Sequence, residues 1–259
     1  MEMPLDLKQW RKEQRAALLA RRMAASADLH NRWSDTITQF LLDAFPLLQR
    51  MTVGLYWPIK GEFDPRFAIR ALRDAGATAA LPVVVQKAAP LEFRAWSPGV
   101  RMTRGVYDLP VPEGTAVVRP DALLIPPVGF DAQGYRLGYG GGYFDRTLVA
   151  LDPQPLKIGV GFELSRMATI HPQPHDVPMD FIVTEAGVHP VTERGLVRVD
   201  HVSTIAETAE RIVRDRSDIA SQTEGTRGAT GAQGNAPAAS RYASSPFYAC
   251  QPNSSDDEE

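Results

Sequence analysis

Between Thr52 and Thr184 the chain alternates short apolar runs with segments that carry helix start and stop signals, and this constrains the fold more than any other feature. Thr52 to Trp57 reads as a buried strand. Asp64-Pro65 then starts a helix, with Asp as its cap and Pro in the first turn, and Gly76 closes it. Thr78 to Val85 is the next strand, and Leu91 to Trp96 alternates like another. Ala122-Leu-Leu-Ile125 is continuously apolar, the pattern of a strand buried on both faces. Tyr143 to Leu151 reads as a helix, and Lys157 to Phe162 and Phe181 to Thr184 as two further strands. Strand, helix, strand in this order implies parallel crossover units. The expected fold is α/β, a three-layer, mostly parallel sheet with helices on both faces, Rossmann-like in form.

Two helices are expected ahead of this core. Asp6 to Ala25 is strongly basic, with Lys8, Arg11, Lys12, Arg15, Arg21 and Arg22, while Leu7, Trp10 and Leu18 share an apolar side. Asp28 would cap the second, in which Trp33, Ile37, Phe40, Leu41 and Ala44 recur at helical steps before Pro46. Ser97 to Glu113 is rich in Gly and Pro and reads as loop with at most short strands. Near His189 the composition shifts to Ser, Ala, Gly, Thr and acidic residues. The expected organisation is one domain over 1–198 and a tail over 199–259. In that tail Ile205 to Ile219 has the pattern of one short helix, and Ser221 onward lacks the apolar content to offset its ordering entropy, so disorder is expected there.

A formal net charge of −3 argues against a nucleic-acid coat or a polybasic membrane anchor. No apolar run approaches the roughly 20 residues of a membrane helix, and Met1 to Leu7 has acidic residues and no signal-peptide core. The lone cysteine, Cys250, excludes an internal disulfide framework and fits a reducing cytoplasm. His171 and His175 are four apart, but Pro172 and Pro174 forbid the helix that would bring them onto one zinc ion.

The chemistry is concentrated in Arg136-Leu-Gly-Tyr-Gly-Gly-Gly-Tyr-Phe-Asp145. A strand ending at Pro126 delivers the chain to the carboxyl edge of the sheet, where open α/β folds bind ligands. Gly138, Gly140, Gly141 and Gly142 let backbone amides approach an anion closely. The helix that follows adds its free amides, and Arg136 a bidentate cationic fork. The spacing is neither Gly-x-x-x-x-Gly-Lys-Ser/Thr, since no Lys follows the glycines, nor Gly-x-Gly-x-x-Gly, since Tyr143 takes the third place. Asp145 beside a bound phosphate would be repelled unless a cation bridges them. Mg²⁺ takes one or two carboxylates plus phosphate oxygens, so the arrangement makes sense as a Mg-nucleotide site.

The longer run Gly129 to Arg146 resembles the signature of the 5-formyltetrahydrofolate cyclo-ligase family. Further matching pieces are the basic helix at Lys8 to Arg22, Tyr56-Trp-Pro-Ile-Lys-Gly-Glu62, Ala80-Leu-Pro-Val-Val84, His175-Asp176 and Asp180 to Glu185, so the resemblance spans about residues 6 to 188. It implies ATP- and Mg-dependent cyclisation of 5-formyltetrahydrofolate to 5,10-methenyltetrahydrofolate, with release of ADP and phosphate. The formyl oxygen is a poor leaving group until phosphorylated; the folate N10 then attacks the activated carbon. Such chemistry needs positioning and charge stabilisation more than a protein nucleophile.

On that resemblance Arg136 and Tyr143 are catalytic, and Arg136, Leu137, Gly138, Tyr139, Gly140, Gly141, Gly142, Tyr143 and Phe144 bind ATP. Trp57, Glu62, Tyr139, Gly140, Gly141 and Gly142 contact the folate, and Asp145 and Asp176 hold Mg²⁺. The family's amino-terminal pair of basic residues, four apart, falls on Lys8 with Lys12 or on Arg11 with Arg15. Lys8 and Lys12 are preferred for ATP, with Arg11 as the alternative. Two other classes compete: a phosphosugar-isomerase or CoA-transferase relative, which does not require the Arg-x-Gly-x-Gly-x-Gly-x-x-Asp pattern, and a non-catalytic nucleotide- or RNA-binding relative.

Overall fold

The computed structural model describes residues 4–199 and 201–228. In chain order its helices and strands are α1 (Leu7–Met23), α2 (Ala27–Ala44), β1 (Thr52–Gly54), α3 (Arg66–Asp74), β2 (Thr78–Val83), β3 (Glu92–Trp96), β4 (Met102–Arg104), β5 (Pro110–Pro112), β6 (Ala122–Ile125), β7 (Gly129–Phe130), β8 (Arg136–Leu137), α4 (Tyr143–Ala150), β9 (Leu156–Val160), β10 (Phe181–Thr184), β11 (Gly187–Thr192), β12 (Gly195–Leu196) and α5 (Val202–Gly228). The chain divides into two compact units, Met1–Ala220 and Ser221–Glu259. Of the second, the described residues are helical to Gly228. Cys250 and the part of the expected disordered tail after Gly228 lie outside the described residues.

Eight strands form one sheet in the order β12-β11-β10-β9-β6-β1-β2-β3. The five central strands run parallel, and antiparallel partners close both flanks. Period-two alternation sends β6 into both faces. Leu123 and Ile125 pack with Leu148 of α4, while Ala122 and Leu124 join Ile37 and Leu41 of α2 and Ile69 and Leu72 of α3. The three-layer α/β expectation therefore holds. Beyond β3, Ala95 N donates to Ala116 O at 2.9 Å and Val118 N to Phe93 O at 2.9 Å, and the opposite flank ends in the two-residue β12.

Three local readings change. Ser26, not Asp28, caps α2, its hydroxyl accepting from Leu29 N at 3.3 Å. Pro65 occupies the cap position of α3, and Asp64, one residue earlier, accepts from Arg66 N at 3.0 Å and pairs with the Arg66 guanidinium. The strand expected to reach Trp57 ends at Gly54, because a chain turning toward Pro58 leaves the ladder.

Order also persists past His189. β11 returns antiparallel along β10, and β12 along β11. α5 then buries Ile205 and Ala209 in the main core beside Ile37 and Leu41, and Arg216 grips the Asp180 carboxylate with bonds of 2.7 and 2.9 Å. The first unit accordingly runs to Ala220 rather than to 198, and Ser221 to Gly228, read as disordered, belongs to α5. Among the described residues no helix is long and apolar enough to cross a membrane.

The order of the central strands sets the site. From β1 the chain crosses to β2 on one side, and from β6 to β9 on the other. The connections leaving β1 and β6 therefore diverge, and a crevice opens between them at the carboxyl ends of the strands.

Candidate active site

That crevice is a cleft of about 550 Å³. The segment after β1 supplies Tyr56 to Glu62, the segment after β8 supplies the glycine loop, and α1 contributes Arg11 and Arg15. Leu18 of α1, packed with Val128, Leu137 and Ile170, seats that helix. The β4–β5 hairpin adds Tyr107, Leu109 and Pro110.

Arg136 leaves β8 only 6% exposed, and its Nη2 donates to Asp145 Oδ2 at 2.9 Å. Its Nε is buried without a hydrogen-bond partner among the described residues. A Cβ on Gly138 would lie 2.8 Å from Arg136 Nη1, so glycine is needed there for the guanidinium to pass. Gly140 and Gly142 take left-handed backbone, φ 101° and 62°, and Gly142 caps α4 without a side chain between the loop and the helix amides. Arg15 closes the loop from α1, its Nε donating to Gly138 O at 2.7 Å. Burial, and then the neighbouring Arg11 charge, push the Arg15 guanidinium below its ordinary pKa. At the mouth, Tyr143 Oη meets Tyr107 Oη at 3.0 Å, and the Arg146 guanidinium stacks on the Tyr143 ring at 5.1 Å.

The two aspartates share one wall. Asp145 Oδ1 accepts from Val177 N at 3.3 Å, next in chain to Asp176. Asp176 Oδ2 accepts from Arg11 Nη2 at 2.6 Å and from Gln173 N at 2.7 Å. No group of three His, Cys, Asp or Glu side chains that could hold a metal occurs among the described residues. Two carboxylates on one cleft wall do not make a resident metal site. They do fit a hard divalent cation that arrives with phosphate oxygens to complete its shell.

The other end of the cleft holds Glu62, 5% exposed. Left-handed backbone at Lys60 and Gly61, φ 49° and 69°, turns the chain back so that Glu62 Oε2 accepts from Ile59 N at 2.9 Å. Tyr139 Oη donates to Glu62 Oε1 at 2.7 Å. Burial pushes the Glu62 carboxyl above its ordinary pKa, opposed by the Ile59 and Tyr139 hydrogen bonds and by the Arg22 charge. Burial and the Glu62 charge push the Tyr139 phenol up in turn. Trp57 is half-buried beneath the Arg66 guanidinium, 4.5 Å from its ring.

The cleft thus gathers Trp57, Glu62, Arg136 to Asp145, Asp176 and Arg11. It does not gather Lys8 and Lys12, which are exposed and stand off its wall. Arg11, Arg15, Leu18 and Arg22 follow one another at four-, three- and four-residue steps on the face that α1 buries; Lys12 is turned away from that face, and Lys8 lies a turn before Arg11, at the exposed start of the helix. Sequence reasoning held Arg15 only as an alternative and passed over Arg22 and Tyr107. The step from Leu18 to Arg22 was a usable signal. Nothing local marks Tyr107, which sits in a loop with φ 63°.

The sequence profile of the 5-formyltetrahydrofolate cyclo-ligase family matches residues 7–185. The 5-formyltetrahydrofolate cyclo-ligase of Mycoplasma pneumoniae is 30% identical over 178 residues, 66% of this chain and 96% of the relative. That of Escherichia coli K12 is 30% identical over 152 residues, 55% of this chain and 82% of the relative. Among solved structures, the 5,10-methenyltetrahydrofolate synthetase of Aquifex aeolicus superposes with a TM-score of 0.62 at 28% identity, covering 74% of this chain and 97% of that one. The M. pneumoniae synthetase gives 0.56 at 28% identity, covering 68% and 98%.

Proposed function

The chain belongs to the 5-formyltetrahydrofolate cyclo-ligase family, and from that premise we propose that it closes 5-formyltetrahydrofolate to 5,10-methenyltetrahydrofolate with ATP and Mg²⁺, in the cytoplasm. One observation carries the reading. A single cleft holds a glycine-rich loop with three arginines at one end and a buried, hydrogen-bonded carboxylate beside a tryptophan at the other.

The glycine amides, Arg136 and Arg15 hold the ATP phosphates, with Arg11 on the same side. Arg136, which lines the cleft and pairs with Asp145 there, faces the transferring group. Glu62 and Trp57 hold the folate so that the formyl oxygen faces the terminal phosphorus. That oxygen forms a bond to phosphorus as the bond to ADP breaks. N10 then attacks the formyl carbon, the carbon–oxygen bond breaks to release phosphate, and the N10 proton leaves to solvent or base. Stabilisation of developing charge by fixed donors is the protein's main contribution, and Tyr143 at the mouth limits water. Asp145 and Asp176 would hold Mg²⁺, which would offset phosphate charge. Each aspartate pairs with an arginine, so these carboxylates and their arginines would lie together around the bound phosphates.

The test is to incubate the purified chain with 5-formyltetrahydrofolate, ATP and Mg²⁺ and to follow methenyl absorbance. The signal is expected to require all three. Absence of ATP-dependent product would refute the reading, and product formed equally well with Mg²⁺ chelated would remove the metal from it.

A further inference from the structure

Arg22 takes no part in the steps above, yet it is a 4% exposed cation at the end of α1. A buried guanidinium is costly unless its donors are taken, and each of its nitrogens donates. Nε bonds Lys60 O at 3.0 Å, Nη1 bonds Pro127 O at 3.3 Å, and Nη2 bonds Tyr139 Oη at 2.7 Å. Those acceptors lie in the segment after β1, the segment after β6 and the glycine loop. One side chain therefore ties three walls of the cleft.

The bond to Tyr139 also has a direction. Tyr139 Oη receives the Arg22 hydrogen and gives its own to Glu62 Oε1 at 2.7 Å, while Arg22 Nη2 itself stands 3.9 Å from that oxygen. The relay runs from α1 through the loop that faces phosphate to the carboxylate that faces folate.

We propose that Arg22 is a positioning residue that couples the two halves of the cleft: through Tyr139 it holds the glycine loop and the Glu62 carboxylate in one geometry, so that nucleotide binding favours folate binding. This rests on the function proposed above. The charged and titratable groups around Glu62 are Arg22 from α1, His30 from α2, whose ring bonds the Gly61 and Glu62 carbonyls, Tyr139 from the glycine loop, and Lys60 and Tyr56 from its own segment. Arg22 opposes the burial that raises the Glu62 pKa. Removing it moves the ionisation of Glu62 to higher pH.

The experiment compares full-length wild type, Arg22→Gln and Arg22→Lys. Calorimetry measures 5-formyltetrahydrofolate affinity with and without a non-hydrolysable ATP analogue, and steady-state assays give the pH profile of kcat/KM. In wild type the analogue tightens folate binding. In Arg22→Gln that tightening is lost, the folate KM rises about tenfold or more, and the acidic limb of the profile moves to higher pH. Arg22→Lys keeps the charge but not the fork, so it holds the limb and loses the tightening. Should Arg22→Gln fail to fold, Tyr139→Phe cuts the same relay by one hydroxyl and is expected to lose the tightening too. A folded Arg22→Gln, or in its place Tyr139→Phe, that keeps wild-type tightening overturns the coupling, as does an unmoved limb in Arg22→Gln. A wild type that forms no product and binds no folate refutes the proposed function instead.

Discussion

Gly138→Ala isolates the fit between the loop and its arginine. Gly138 has an ordinary backbone conformation, so the change introduces no backbone strain; the new Cβ simply stands 2.8 Å from Arg136 Nη1, where ordinary contact begins at 3.4 Å. The guanidinium must yield by several tenths of an ångström. It is 6% exposed and pinned by Asp145 at 2.9 Å, so yielding breaks or stretches that bond and displaces the guanidinium. One charge-assisted hydrogen bond is worth about 1.5–3 kcal/mol, which converts to roughly ten- to a hundredfold in kcat/KM for ATP. The assay is an ATP titration of methenyl formation at saturating folate, alongside circular dichroism to show an intact fold. Activity within about twofold of wild type would show that Arg136 can relax freely, and the steric argument would fail.

Two further outcomes follow from burial. Ile205→Ala is expected to cost about 2–5 kcal/mol, because Ile205 is 2% exposed in the main core; an unchanged thermal midpoint would make α5 an appendage after all. For Glu62, whose folded pKa is raised by burial, the stabilising contribution of the protonated form is complete below the ordinary carboxylate pKa and disappears as pH rises through the raised value. Glu62→Gln cannot ionise, so its thermal midpoint should gain on wild type as pH rises through that window, while folate turnover falls. A midpoint difference that stays flat across the window would contradict this.

The residues explain how far the sequence alone could reach. Ala122 to Ile125 matched a strand residue for residue, because burial on both faces leaves an uninterrupted apolar run. The glycine loop was legible as chemistry because its arginine, glycines and aspartate lie within one short stretch, and the structure leaves them close together. The basic pair of α1 was not. Lys8 with Lys12 and Arg11 with Arg15 have identical spacing, and only the packing of Leu18 against Val128, Leu137 and Ile170 fixes which turn of α1 meets the cleft. The β11–β12 hairpin around His189 was missed because β12 is only two residues long and the strands carry Pro190 and Gly195. In α5 the buried stripe of Ile205 and Ala209 is thin, and its neighbours are mostly polar, so its role depends on joining the main core, which no local pattern announces. Arg22 belongs to the same class, its three carbonyl and hydroxyl partners lying 38 to 117 residues away.

The flanks of the sheet bear on how copies of the chain meet in a crowded solution. An unpaired strand edge is a template for another strand, and folds that expose one risk propagating into aggregates. Here the outer amide and carbonyl positions of β3 are occupied by residues 116 and 118, and the far side tapers to a two-residue strand. Neither margin offers a long free row to a second molecule. Self-association through sheet extension is thereby disfavoured, and the parallel core, slow to assemble because its partners are distant in sequence, is screened at both ends once it has formed.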